Sequence, residues 1–122
     1  YWVPLGGDAQ SESDIHNALA NEDRLLLTLR VERLLAGRAH SQQPASRSAH
    51  VLQLPQVDVC NDHHAEVYTP FTYVESRGEQ QIWLVGQWCH RLCREQGAWR
   101  IALKRVNLLN AGAAHLAIQL FP

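Results

Sequence analysis

Methionine is absent from the 122-residue sequence and cysteine is scarce, with three thiols at Cys60, Cys89 and Cys93. An odd, small set of thiols does not supply the even-numbered disulfide framework of a small secreted domain and suits a reducing cytoplasm better. Charge of one sign is lacking too, since eleven basic side chains stand against twelve acidic ones. With no basic block or stripe, nothing neutralises phosphates, and nucleic acid is set aside as a partner. No apolar run reaches the length of a bilayer span, and the opening Tyr1-Trp2-Val3-Pro4 has neither the charged nor the apolar region of a secretory signal. Fixed-period repeats and low-complexity tracts are also missing. The expectation is a soluble, cytoplasmic protein with no membrane partner. Because the first residues read as a strand already under way and no methionine precedes them, an upstream stretch is expected to have been removed or left out.

What is present is core material. With 46% hydrophobic residues and four tryptophans, the chain can build one packed core and is too short for two, so a single domain over residues 1–122 is expected. Gly6 to Asp14 is polar and glycine-containing and predicts a surface loop after the first short strand. Asn21 as N-cap, Glu22 and Asp23 at the positive end, and Leu25, Leu26 and Leu29 on one apolar face predict a helix that ends near Gly37. Alternation of Leu27, Leu29 and Val31 with Thr28, Arg30 and Glu32 is also a strand pattern. Ser41 to Ser48, polar and broken by Pro44, reads as an exposed connection.

Four β-rich segments follow, roughly Ala49 to Cys60, Ala65 to Ser76, Gln80 to Arg94 and Trp99 to Leu109. Asn61-Asp62-His63, Arg77-Gly78 and Gln96-Gly97 separate them. Such short turns force antiparallel neighbours and predict a four-stranded meander. In the third segment Ile82, Leu84, Gly86, Trp88, His90 and Leu92 share one face, opposite Gln81, Trp83, Val85, Gln87, Cys89 and Arg91. Pro55 and Pro70 each remove a ladder donor and predict edge positions or bulges. The fold class expected is α+β, a long bent antiparallel sheet wrapped against helix.

Candidate chemistry is thin. Asp62-His63-His64 offers three metal-ligating side chains, but neighbours on one turn rarely converge on one ion. Cys89 and Cys93, four apart on a strand, share a face while His90 points to the other, which is not the spacing of a zinc or redox pair. No second cluster supplies both cysteine and histidine for an iron–sulfur centre, and nothing in the sequence brings His50, His90 and Asp58 together as a mononuclear iron site. Nucleophile elbows and phosphate-binding glycine loops do not occur. What remains is acid–base work in a sheet-lined pocket, with Asp58, Tyr68, Tyr73 and His90 as candidates. Arginines gather at Arg24, Arg30, Arg33 and Arg38 and again at Arg100 and Arg105, a pattern of exposed faces that also suits bidentate contacts between subunits.

Several stretches resemble one family. Asp23-Arg24-Leu25, Arg30-Val31-Glu32-Arg33-Leu34, Gly37-Arg38-Ala39-His40, Pro44 and Ser46-Arg47 follow the order seen in the β subunits of Rieske-type aromatic-ring-hydroxylating dioxygenases. Trp99 to Asn110 and the end from Ala117 to Phe121 are similar to that family's closing strand and tail, and Tyr1-Trp2-Val3-Pro4 to its first-strand motif. The chain departs from the family at Gly112, where aspartate is frequent, and at His115, where proline or leucine is common.

The resemblance implies a cone-shaped domain of the cystatin-like, nuclear-transport-factor-2-like class, with a short first strand beside the meander and without the helices that in the family precede that strand. It implies a non-catalytic structural subunit with no cofactor or metal of its own. Its partners would be other β subunits and an α subunit, three of each in a ring, with the Rieske [2Fe–2S] cluster and the catalytic ferrous iron held by the α chain. The assembly would dihydroxylate an aromatic ring in aromatic-compound catabolism. Motif position marks Arg33, Arg105 and Asn110 for interface or architectural roles. Two other readings stand beside it: a free-standing enzyme of the same fold, such as an isomerase or dehydratase using a carboxylate or histidine in the cone, and a small-molecule-binding domain.

Overall fold

The computed structural model describes residues 1–36, 44–115, 118 and 120–122. The elements run β1 (Trp2–Pro4), two single-turn 3₁₀ helices (Gly7–Ala9 and Glu12–Asp14), β2 (Ala18–Asn21), α1 (Arg24–Leu35), β3 (Arg47–Leu52), β4 (Gln56–Cys60), β5 (His64–Arg77), β6 (Gln80–Glu95) and β7 (Ala98–Leu108). All the strands join one sheet in the order β2-β1-β7-β6-β5-β3, with β4 also paired to β5. Among the described residues the architecture is α+β, a bent antiparallel sheet accompanied by the helix α1, and only the β1–β7 pair is parallel.

The long strands β5, β6 and β7 are the meander read from the turn residues. Gln96 and Gly97, at φ 51° and 81°, join β6 to β7, the positive values that a two-residue hairpin turn needs to match strand twist. Residues directly paired across antiparallel strands share a face. One face therefore gathers Tyr73 with Leu84, Phe71 with Gly86 and Leu108, and Thr69 with Trp88 and Val106. With Val3 and Ala111 this face forms the buried core, and it is the face the alternation in the third segment marked as apolar.

Several expectations are corrected. The segment from Ala49 to Cys60 is two strands, interrupted at residues 53–55, with Pro55 in the interruption. Pro70 lies on the inner strand β5 rather than on an edge strand, and its carbonyl accepts the Gln53 N–H at 3.0 Å. Its missing donor thus faces the gap between β3 and β4, where no ladder bond is lost. An additional strand, β2, pairs with β1, and Asn21 sits opposite Trp2 in that ladder. The helix cap consequently passes to Asp23, whose carboxylate accepts the Leu26 N–H at 2.9 Å. Leu25 and Leu29 are 66% and 51% exposed, and the half-buried positions are Leu27, Arg30 and Leu34, at i, i+3 and i+7. Gly6 to Asp14 is more than a surface loop, because Gly7 and Gln10 are buried. The Gly37 helix stop, Arg38 and most of the connection after it lie outside the described residues. Among the described residues no helix is long and apolar enough to cross a membrane.

Gly86 sets how closely β6 and β7 approach. A Cβ placed there would lie 2.1 Å from the carbonyl oxygen of Asn107, which only separation of the strands could relieve. Gly86→Ala is expected to destabilise the fold by about 3 kcal/mol, the upper part of the overpacking range, read as a lowered urea midpoint. An unchanged midpoint would show that the strands separate freely at this point.

Candidate functional site

Two clusters stand out, one on each face of the sheet. On the outer face Arg105 of β7 is the register partner of Trp2 in β1, and its guanidinium carbon lies 4.5 Å from the centre of the Trp2 ring. Its Nη2 reaches three main-chain carbonyls, Gly7 at 2.8 Å, Asp8 at 2.9 Å and Gln10 at 2.9 Å. Two hydrogens on that nitrogen cannot serve three acceptors singly, so at least one is shared. Nε donates to Asn107 Oδ1 at 2.7 Å, and Asn107 Nδ2 donates to Asp8 Oδ1 at 3.0 Å. Gln10 extends the network, accepting from Gly6 N at 2.6 Å and donating to the carbonyls of Asp14 and Asn17 at 2.7 Å each. The 3₁₀ segment is thus fastened to the sheet by Arg105, with Asn107 beside it, in an architectural geometry rather than a surface one.

On the inner face the Trp88 ring is a platform for bases. The Lys104 ammonium stands 3.8 Å from its centre, with the rings of His50 at 5.3 Å and His90 at 5.8 Å. Lys104 donates to the Pro122 main-chain oxygen at 3.4 Å, and among the described residues no aspartate or glutamate side chain stands in ion-pairing range of it. Burial lowers its pKa to about 8. Burial first, then the Lys104 charge, holds His50 and His90 below the usual histidine value, with the contact to the Phe121 carbonyl partly opposing this at His50. On the same face, Tyr73 donates to the buried Glu75 Oε2 at 2.7 Å, and burial followed by that carboxylate raises the Tyr73 phenol.

The acid–base candidates are not assembled. Asp58 is the extra residue of a bulge in β4, skipped between Val57 and Val59 in the pairing with β5, and it is exposed. Tyr68 lies on the outer face beside Cys89. The facing Cys89 sulfur, then burial, push its phenol up to about 12. Tyr73 and His90 do share the inner face, but the carboxylate at Tyr73 is the buried Glu75. Asp62 and His63 lie on an exposed turn where Asn61 Oδ1 accepts the His63 and His64 N–H groups at 2.9 and 2.8 Å. Cys60 is exposed, and Cys89 and Cys93 are half-buried free thiols. Among the described residues no three histidine, cysteine or acidic side chains gather as a metal site. Arg33 is exposed in the last turn of α1, and Asn110 is exposed on the turn after β7. Sequence reasoning missed Lys104 and Glu75; their burial follows from the register of three strands, which no local pattern displays.

This bent antiparallel sheet with its helix defines an α+β protein, and comparison with known proteins gives the family. The profile of the ring hydroxylating beta subunit family matches residues 1–113, and the chain belongs to that family. No curated protein matches the chain. Among solved structures it is similar to the β subunit of the benzoate 1,2-dioxygenase from Burkholderia mallei, with 19% identity and a TM-score of 0.66 over 90% of this chain and 69% of that one. A protein of unknown function from Mycobacterium tuberculosis aligns with a TM-score of 0.45 and 19% identity over 62% of this chain and 45% of that one, too low to bear on the argument.

Two outcomes follow. Arg105→Lys keeps the charge but not the fork, and is expected to cost about 2 kcal/mol, as one or two charged hydrogen bonds would. Denaturation should show the loss, and amide exchange should quicken at residues 7–10; normal exchange there would mean the segment is held by other contacts. Lys104, the only lysine in the sequence, should titrate near pH 8 by NMR of its Cε. Between about pH 8 and the ordinary 10.5 the unfolded chain then holds a proton the folded one lacks, so this residue makes stability rise with pH across that window. Lys104→Met should remove that rise, and a midpoint above 10 would refute the burial of the ammonium.

Proposed function

We propose that this chain is the non-catalytic structural β subunit of the terminal oxygenase of an aromatic-ring-hydroxylating dioxygenase. In this reading an α subunit carries the Rieske [2Fe–2S] cluster and the mononuclear ferrous iron and dihydroxylates the ring, three α and three β subunits assemble, and the complex works in the cytoplasm. The observation that carries the proposal is the family match across residues 1–113. The outer face of the sheet supports it. Two adjacent ladder rows, Ala49–Val74–Trp83 and Val51–Thr72–Val85, form a contiguous and largely apolar surface, on which Val51 is 64% and Trp83 62% exposed. An exposed tryptophan on a contiguous apolar surface is a feature of interaction sites. Arg33 and Asn110 are exposed and free to meet a partner subunit, whereas Arg105 would act by holding the segment beside the sheet in shape.

Co-expression with the α chain encoded beside it, followed by native mass and an iron count for each chain, tests the proposal. A mixed hexamer with all iron on the α chain is expected. Trp83→Ser should leave the thermal midpoint of the isolated β chain within a few degrees and sharply reduce co-purification. If the two proteins stay apart, the subunit role fails and the free-standing enzyme takes its place.

A further inference from the structure

Most of the arginines on β6 and β7 have acceptors. Arg91 pairs with Glu12 at 2.9 Å, Arg94 donates through Nε to the Gly97 carbonyl and covers the Trp99 ring, and Arg105 is engaged with the 3₁₀ segment. Arg100 differs. It is exposed, as is Arg24 of α1, and among the described residues neither guanidinium has a hydrogen-bond or ion-pair partner. Both line one cleft of about 610 Å³, together with Cys93, Glu95, Ile101 and Ala102. Its walls come from the interior of the sequence, namely the start of α1, the end of β6 and the start of β7.

These two cations stand where the chain itself offers them nothing. Arg24 is the first residue of α1, at the end of the helix whose dipole disfavours a cation, and the neighbouring Asp23 carboxylate accepts the Leu26 N–H. Arg100 is the register partner of Cys93. Glu95 borders the same cleft with its Oε1 at 3.7 Å from the Cys93 sulfur, outside ion-pairing range of either arginine. Two like charges on one cleft repel each other until an anion neutralises them. Ile101, 62% exposed, sets an apolar wall beside them.

This composition defines the chemistry of an occupant. A guanidinium edge matches a carboxylate in two bonds, so two edges call for two carboxylates, and Ile101 calls for an apolar side chain next to them. The cleft is larger than a lone inorganic ion fills. One pair of cations with a carboxylate among them does not suit the phosphate row of a nucleic acid. We propose that the cleft docks an acidic segment of a partner protein, with carboxylates on Arg24 and Arg100 and an apolar side chain against Ile101. The site is separate from the Trp83 surface, since Trp83 and Cys93 are ten residues apart on β6, roughly 30 Å at about 3.3 Å per residue. It does not rest on the subunit role, and no α chain is needed to test it.

The test titrates a short acetylated and amidated peptide, aspartate on either side of leucine, into the full natural protein and follows it by NMR. Its asparagine counterpart, succinate and inorganic phosphate serve as comparisons. The acidic peptide at millimolar concentration should shift the Nε–H signals of Arg24 and Arg100 and the Ile101 methyls and leave the Trp83 indole unmoved. The asparagine peptide should bind about tenfold more weakly or worse, the worth of one charged contact. Arg24→Gln and Arg100→Gln should each weaken the acidic peptide about tenfold with the thermal midpoint unchanged. Arg33→Gln, which removes an exposed cation from the last turn of α1, should leave binding as it was. The proposal is overturned if the acidic peptide does not shift these signals, or if the asparagine peptide, succinate or phosphate binds as tightly. It is equally overturned if either cleft arginine can be removed without loss, or if Arg33→Gln weakens binding as much as Arg24→Gln does.

Discussion

The Arg105 guanidinium joins parts of the chain that lie far apart in sequence. Its partners at Gly7, Asp8 and Gln10 are nearly a hundred residues away in sequence, and the β1–β7 ladder has Trp2 and Arg105 as its register pair. A single parallel register pair makes a weak ladder, so the attachment rests on the side chains: the arginine stacks on the indole, collects three carbonyls and orients Asn107 toward Asp8. Charged donors to main-chain carbonyls are among the stronger hydrogen bonds available in a partly buried setting. Once β1 is fixed, β2 can pair with it, Tyr1 can reach the tail, and Val3 can enter the core.

The inner face follows a different logic. Three basic side chains surround one indole, and burial works against charge on all of them. An indole face compensates an ammonium in part, and the Pro122 oxygen adds an acceptor. The carboxylate this face does own, Glu75, is taken up by the Tyr73 hydroxyl. An acid–base enzyme needs a proton donor and acceptor facing a shared space, whereas here the acid and the bases are engaged in separate contacts. This division agrees with a chain whose work is to hold shape.

Legibility in the sequence tracked the range of the interactions. Gly78 and the Gln96-Gly97 pair announced their turns, and the alternation from Ile82 to Leu92 announced the buried face, because hairpin geometry and side-chain alternation are local properties. Asn21 misled because its place in the ladder depends on β1, which lies twenty residues earlier. The helix leucines misled because propensity and clustering do not say which side meets the protein; Leu27 and Leu34 do, while Leu25 and Leu29 face outward. Arg105 was visible through its motif, but its partners were not, since carbonyls carry no sequence signature. Asp58 looked like a candidate acid because a bulge cannot be seen before the register is known.

The long reach of Arg105 also bears on how the protein is made. Ribosomes add about 5–20 residues each second, so the stretch from Trp2 to Arg105 takes on the order of 5–20 seconds to synthesise at that rate. Throughout that interval β1 has the short strand β2 to pair with, while its β7 neighbour and the Arg105 anchor of the 3₁₀ segment are still missing. Meanwhile β5 and β6, joined by a two-residue turn, can close as soon as both have emerged. Synthesis therefore imposes an order on this fold, in which the β5–β6 hairpin can form early and the docking of β1 on β7 comes among the last steps.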